Sequence, residues 1–339
     1  MVGRGWREGA GISPTDAASA THLGMTQDPG TNEDTATDAG AATGAGAAMD
    51  AGAATGTAAA TAADTRSGTY AELAAVGPYG VRPGHALITM VEPHPGHEYT
   101  YNRWYEDDHY LAGAMAMPWI FAGRRWAATR DLQLLRYPAR SAVARPVTAG
   151  CYLSTYWITE GRYDDHLRWT VAINRRLNAD GRIHHDRTHV FTAFHDHRTT
   201  VYRDGTRGPR DFHALDHPYA GLVLEVIDAA DAPGRTALLR WLTEERLPRR
   251  LAGSPAAMVT VFRPRPLPAD RMAYVRQVEG ADIRLTLLWF LQEDPRACWE
   301  PWFTGLDGEV AASGLGRVEL VAPFVPTVPG TDRYVDELR

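Results

Sequence analysis

The sequence predicts an α+β fold: two tandem ferredoxin-like (βαββαβ) units in one chain that close on each other into a barrel. Three observations predict it. First, one helix is written twice. Residues 103–111 read Arg-Trp-Tyr-Glu-Asp-Asp-His-Tyr-Leu, residues 240–248 read Arg-Trp-Leu-Thr-Glu-Glu-Arg-Leu-Pro, and the two are 137 positions apart. A repeat this long marks two copies of a small fold rather than a solenoid. Second, strand-like and helix-like runs alternate in the same order around each copy. Third, a four-stranded sheet with both helices on one face leaves the other face bare, and a second copy is the economical cover for that apolar patch.

The elements follow from local pattern. In the first copy, residues 86–91 form a short apolar, partly β-branched strand, broken by Pro93, Pro95 and Gly96. A helix from about Thr100 to Met117 stops at Pro118, and strands follow over 119–129 and 151–159. Residues 164–178 read as a second helix and 188–194 as the closing strand, giving β-α-β-β-α-β. The second copy repeats this order with strands at 222–227, 257–262, 283–291 and 317–322 and helices at 234–251 and 295–312. The domain plan is a tail over 1–68, a first unit over 80–200 carrying the active site, a linker over 201–218 and a second unit over 219–328 acting as structural partner.

Composition bounds the function. Residues 35–63 are almost entirely Ala, Thr and Gly, which cannot bury enough apolar area to offset ordering entropy, so the tail reads as disordered. It carries eight acids against three arginines, and the remainder of the −6 net charge is close to neutral, which argues against nucleic-acid binding. No window approaches a membrane span. All 35 basic residues are arginine, which excludes lysine Schiff bases and lysine-bearing phosphate loops. The two cysteines, Cys151 and Cys298, suggest reduced thiols and a cytoplasmic location.

The segment Tyr101-Asn102-Arg103-Trp104-Tyr105-Glu106-Asp107-Asp108-His109 resembles the helix signature of the EthD-like branch of the dimeric α+β barrel superfamily, where an Asn/Trp/Tyr-rich helix start leads to a histidine and a second strand follows. The resemblance covers about 85–200, and 219–325 through fold pattern alone. It implies an intramolecular dimeric α+β barrel. It leaves the activity open, because this superfamily includes polyketide cyclases, cofactor-free monooxygenases, isomerases and haem-dependent enzymes.

The unequal copies point to the chemistry. Positions i, i+3, i+4 and i+7 share a helix face. In the second copy that face holds Leu238, Leu239 and Leu242 and ends near Arg246; in the first it holds Tyr101, Asn102, Tyr105 and His109. Four polar side chains turned toward a sheet predict a lined cavity, since an unpartnered buried polar group costs about 1–3 kcal/mol. His109 is the candidate acid or base, Tyr105 the proton donor or orienting group, and Asn102 the holder of an oxyanion. The competing reading makes His109 a bridge to a strand and the tyrosines core residues. Tyr101, Arg124, Arg125 and Trp157 are the expected substrate-binding residues. Arg124 and Arg125 are strand neighbours, so one faces inward to meet a carboxylate or enolate, or to pair with the acidic helix. Trp157, with Tyr156, walls the cavity or packs the core. Twelve of the 13 histidines lie in 85–217, and His189, His195 and His197 are expected on one strand face. No metal site and no cofactor are expected.

The leading expectation is a cofactor-independent enzyme of lyase, isomerase or cyclase type acting on a small apolar or aromatic carbonyl compound. The alternatives are a cofactor-free or haem-dependent monooxygenase and a non-catalytic small-molecule binding protein. The expected partner is a small-molecule substrate, with no nucleic acid and no membrane, in a monomeric pseudo-dimer or a homodimer.

Overall fold

The computed structural model describes residues 82–117, 119–205 and 207–339, with the isolated positions 71, 72, 75 and 80. The tail expected to be disordered lies outside them. Eight strands close into one barrel. In chain order they are β1 (Pro83–Pro93), β2 (Ile120–Ala127), β3 (Tyr152–Thr159), β4 (Arg187–Tyr202), β5 (Gly221–Ala229), β6 (Ala256–Pro264), β7 (Arg284–Leu291) and β8 (Gly316–Pro326). Around the barrel they run β1-β3-β2-β8-β5-β7-β6-β4, with β4 returning to β1. Each half therefore has the ferredoxin-like order, β4-β1-β3-β2 and β8-β5-β7-β6, and the molecule is a dimeric α+β barrel within one chain.

The two seams differ. β2 meets β8 over two residue pairs, Trp126 with Pro326 and Ala127 with Val325. β4 meets β6 from His195–Pro264 to Tyr202–Met258. That longer seam uses residues 195–202, beyond the expected end of the strand at 194. The polar run there does not end the strand, because its backbone is paired on a second side by the other half.

Alternation along the strands sorts side chains between two cores. In β5, Leu222, Leu224 and Val226 point into the barrel with Trp157, Phe262 and Phe290. Val223 and Ile227 point outward to the helices with Leu238, Leu242 and Trp289. A strand buried on both faces reads as a continuous apolar run.

Helices cover the outer faces. In the first half, α1 runs as α-helix over Glu98–Trp104 and continues through two π turns, Tyr105–His109 and Leu111–Met115. A short α2 (Arg130–Leu134) follows β2, and α3 (Tyr163–Ala179) follows β3. In the second half, α4 runs from Gly234 to Leu251 with a π turn at Leu242–Arg246. The expected helix over 295–312 is two helices, α5 (Pro295–Trp302) and α6 (Leu306–Ser313), divided just after Pro301. Both halves carry a π turn at the equivalent place, so this widening belongs to the repeat and is not a mark of the site. No helix among the described residues is long and apolar enough to cross a membrane.

The chain beyond β8, unassigned in the sequence, straps α1. Asn102 donates to the Thr331 carbonyl and to Asp332 (both 2.9 Å), the Gly330 amide donates to Glu106 (3.0 Å), and Tyr99 donates to Asp336 (2.8 Å).

Candidate active site

Sheet register shows which residues of the two halves correspond. Leu87 pairs with Tyr156 in the first half, and Val223 pairs with Trp289 in the second. Two residues further along, Thr89 stands where Glu225 stands; on the helices, His109 stands where Arg246 stands. In the second half these positions are filled. Arg246 is fully buried and donates to Glu225 (2.6 Å) and Glu309 (3.1 Å), while Trp289 Nε1 donates to Glu225 (2.9 Å). In the first half Thr89, His109 and Tyr156 are smaller or turned aside. They leave a cavity of about 130 Å³ between the sheet and helices α1 and α3.

The polar groups of this cavity are few. The Tyr105 and Tyr156 hydroxyls share a hydrogen bond of 2.6 Å, as do those of Thr89 and Thr192. Burial, with Tyr105 alongside, holds the Tyr156 phenol well above its ordinary value; burial does the same for Tyr101. The His109 ring stacks on Trp104 with centroids 4.3 Å apart and meets the Tyr105 ring edge at 5.3 Å. Gly113 makes room for it: a Cβ there would lie 2.5 Å from His109 Cε1. The His109 Nδ1 is buried with no hydrogen-bond partner. Burial first and the Arg187 charge second lower its pKa to about 3, against a smaller opposing pull from Asp108. The imidazole is therefore neutral across the physiological range.

Two further functional candidates stand outside the expected site set, of which His189 enters the sequence reading only through its strand face. His189 and Arg187 both line the cavity. His189 shares a hydrogen bond between Nδ1 and Thr192 (2.9 Å), leaves Nε2 buried and unpartnered, and is lowered to about 3 by burial and then by Arg187. A β-bulge puts them there. Met90 pairs with Phe191 but Val91 pairs with His189, so Val190 is skipped. Beyond the bulge the facing parity reverses. Thr192 and Phe194 point outward, Phe191 and Ala193 point into the barrel, and His189 and Arg187 point outward again. The expectation that His189, His195 and His197 share a face is thus corrected. His195 is buried inside the barrel against Thr286 (3.1 Å), whereas His189 faces the cavity. Nothing in the residue pattern around Val190 announces the bulge.

Of the expected site residues, His109, Tyr105 and Tyr101 line the cavity. The other four do not. Asn102 is consumed by the C-terminal strap and by Arg125, which donates to its Oδ1 (3.0 Å). Arg125 is buried, paired with Glu106, and lies over the rings of Tyr105 (4.3 Å) and Tyr152 (4.9 Å). It anchors the helix rather than a substrate. Arg124 points the other way and donates to the carbonyls of Leu215 (3.2 Å) and His217 (2.7 Å). Trp157 is inside the barrel, donating to the Asp211 carbonyl (2.9 Å) and packing on Phe262.

The second half also departs from a purely supporting role. Its excursion between β6 and β7 supplies Leu267, Met272, Tyr274 and Val275 to the cavity wall. The Tyr274 ring stacks on His189 (5.7 Å).

A porphyrin is several times larger than this cavity, so the residues present do not fit haem. Among the described residues one group could hold a metal ion: ligand atoms of His97, His184 and Asp186, from the loops before α1 and β4, lie within 4.8 Å of one another. His97 and Asp186 are 3.4 Å apart and read equally well as an ion pair.

No family model and no curated protein matches the chain. Solved structures do. An anthrone oxidase-like protein matches at 11% identity and a TM-score of 0.45, over 73% of this chain and 93% of its own. A haem-bound variant of DypB from Rhodococcus jostii matches at 11% identity and 0.41, over 74% and 96%. A cyanide-bound mutant chlorite dismutase from Candidatus Nitrospira defluvii matches at 9% and 0.38, over 76% and 95%. At this distance the likeness says nothing of activity.

Proposed function

We propose that the first-half cavity is the active site of a cofactor-independent enzyme that moves a proton on a small aromatic carbonyl compound. The observation that carries the reading is the His109 imidazole, whose Nδ1 is buried and unpartnered on the wall of an otherwise largely apolar cavity. In the Nε2–H tautomer this nitrogen holds a free lone pair. It accepts a proton from a carbon or oxygen activated by the substrate carbonyl. The Tyr105–Tyr156 pair uses one hydroxyl proton internally and offers the other to the oxygen on which charge develops. The resemblance of the α1 segment to EthD-like proteins supports the same helix as the catalytic one.

Deprotonation leaves a delocalised carbanion. Its reprotonation elsewhere is isomerase chemistry, and its attack on a second carbonyl is cyclase chemistry. Its capture by dioxygen is the cofactor-free monooxygenase reading, favoured by the largely apolar lining.

The test is a screen of single-ring carbonyl compounds for turnover, with dioxygen uptake recorded alongside. His109→Ala is expected to lower kcat by about 10²–10⁴-fold while leaving the fold intact. Unchanged turnover in His109→Ala and Tyr105→Phe sinks the proposal. Tight ligand binding with no product identifies a carrier protein instead.

A further inference from the structure

We infer that the compound this cavity takes carries an anionic oxygen group, a carboxylate or phenolate on a single aromatic ring, seated on the Arg187 guanidinium. This rests on the cavity being the ligand site and adds the charge of its ligand.

Among the described residues four guanidinium groups are buried, and each is compensated within the protein. Arg125 has Glu106, Arg246 has Glu225, and Arg284 has Asp228 at 2.7 Å. Arg136 has three backbone carbonyls between 2.8 and 3.3 Å. Arg187 has neither a carboxylate nor a carbonyl; the uncharged Tyr274 hydroxyl is its hydrogen-bonding neighbour. Its guanidinium lies over the rings of Trp104 (4.6 Å) and Tyr274 (5.4 Å), which cushion a cation without neutralising it. Among the described residues no carboxylate lies within 4 Å of it, and its Nη1 is buried with no partner. The neighbouring Asp186 is engaged by His97 (3.4 Å) and His94 (3.9 Å). Arg187 is half-buried, and its inaccessible Nη1 lacks the hydrogen bond that such a donor ordinarily makes, so a ligand oxygen there satisfies it. The bulge at Val190 places this group on the cavity wall, where an incoming ligand completes it.

Size and chemistry narrow the ligand. A space of about 130 Å³ is close to that of an apolar cavity which admits benzene, so it suits one ring. The guanidinium fork matches two carboxylate oxygens and also grips a phenolate. The free nitrogens of His109 and His189 flank the same space. An anion on Arg187 also cancels the charge that, after burial, most depresses His109, so the bound ligand makes its own base stronger.

Binding of benzoate, 4-nitrophenolate and the neutral benzamide to the full chain by titration calorimetry tests this. Charge-assisted hydrogen bonding predicts that one anion binds about 10–100-fold more tightly than benzamide; which anion wins separates carboxylate from phenolate. Arg187→Gln is expected to erase that preference while benzamide binding stays within about threefold. Arg187→Lys, which keeps the charge and loses the fork, is expected to retain part of it and serves if the Gln variant does not fold. Benzamide binding as tightly as both anions, no binding of any probe, or a preference surviving in Arg187→Gln each overturns the inference. Turnover is not read, so an anion bound on Arg187 without reaction upholds the inference and removes only the catalytic reading. Turnover of neutral ring carbonyls with no anion preference does the reverse.

Discussion

Where the second half holds Arg246 against Glu225, Glu309 and Trp289, the first half holds His109, Thr89 and Tyr156. The strand order and the π turn in the first helix are common to both. The difference is confined to side chains between sheet and helices. One half closes that layer with a paired ion network; the other leaves it open and lines it with imidazoles, phenols and Arg187, with Arg271 reaching the same wall from the β6–β7 excursion. A fold present twice in one chain can thus keep one copy solid while the other leaves a cavity between its sheet and helices.

The largest expected effect breaks the solid half. Arg246→Ala strands Glu225 in a dry core and is expected to cost about 3–5 kcal/mol of stability, measured by urea unfolding. His109→Ala, the equivalent change in the open half, is expected to cost about 1–2 kcal/mol, because it loses the ring contacts with Trp104 and Tyr105 but no hydrogen bond. Equal losses at both positions would contradict the contrast between the halves.

Acid comes next. Burial lowers His195 and His109 to about 3 and His166 to about 4, and all lie in the first half. A folded value below the unfolded 6.5 means that stability is complete above about pH 6.5 and declines as pH falls toward the folded value. Between pH 6.5 and 5 each such histidine is expected to withdraw about 2 kcal/mol. Hydrogen exchange at pH 5 and 7 checks it: protection should fall in the first half, while the second, with no histidine from Ala220 onward, changes less. A flat stability profile over that range rules the buried neutral histidines out.

Smaller effects sharpen the comparison. Asn102→Ala cuts α1 from both Arg125 and the C-terminal strap, with an expected loss of about 1–3 kcal/mol and faster hydrogen exchange across 98–115. Gly113→Ala intrudes on the imidazole, with its Cβ 2.5 Å from His109 Cε1. It is expected to lower ligand affinity about tenfold with a melting temperature within about 4 °C of the parent. An unchanged affinity would mean that the ring's position does not matter to the ligand.

The fold was legible because both signals it depends on are local. The Arg-Trp repeat and the apolar runs of β5 and β7 are visible without knowing what they touch, and α4 begins and ends within a residue of its expected bounds. The aromatic and imidazole face of α1 was legible for the same reason, since helical periodicity alone aligns Tyr101, Tyr105 and His109. Asn102 was misassigned because 3.6 residues per turn places it at the edge of that face, where a segment more than 220 residues away captures its amide. Trp157 and Arg124 were misassigned because alternation along a strand gives two faces without saying which one is the barrel interior. Arg187 and His189 depend on one skipped residue in a long strand, and the wall at 267–275 depends on tertiary placement of a loop.

That loop makes the cavity a property of both halves. Residues from the β6–β7 excursion finish a compartment whose floor belongs to the opposite copy. Identical copies would trade such excursions reciprocally and build two compartments. Among the described residues the unlike copies build one such compartment, so the proposed ligand is expected to saturate at a single equivalent per 37.2 kDa chain. Separating the copies at their junction would strip the compartment of a side, even where each fragment still folded.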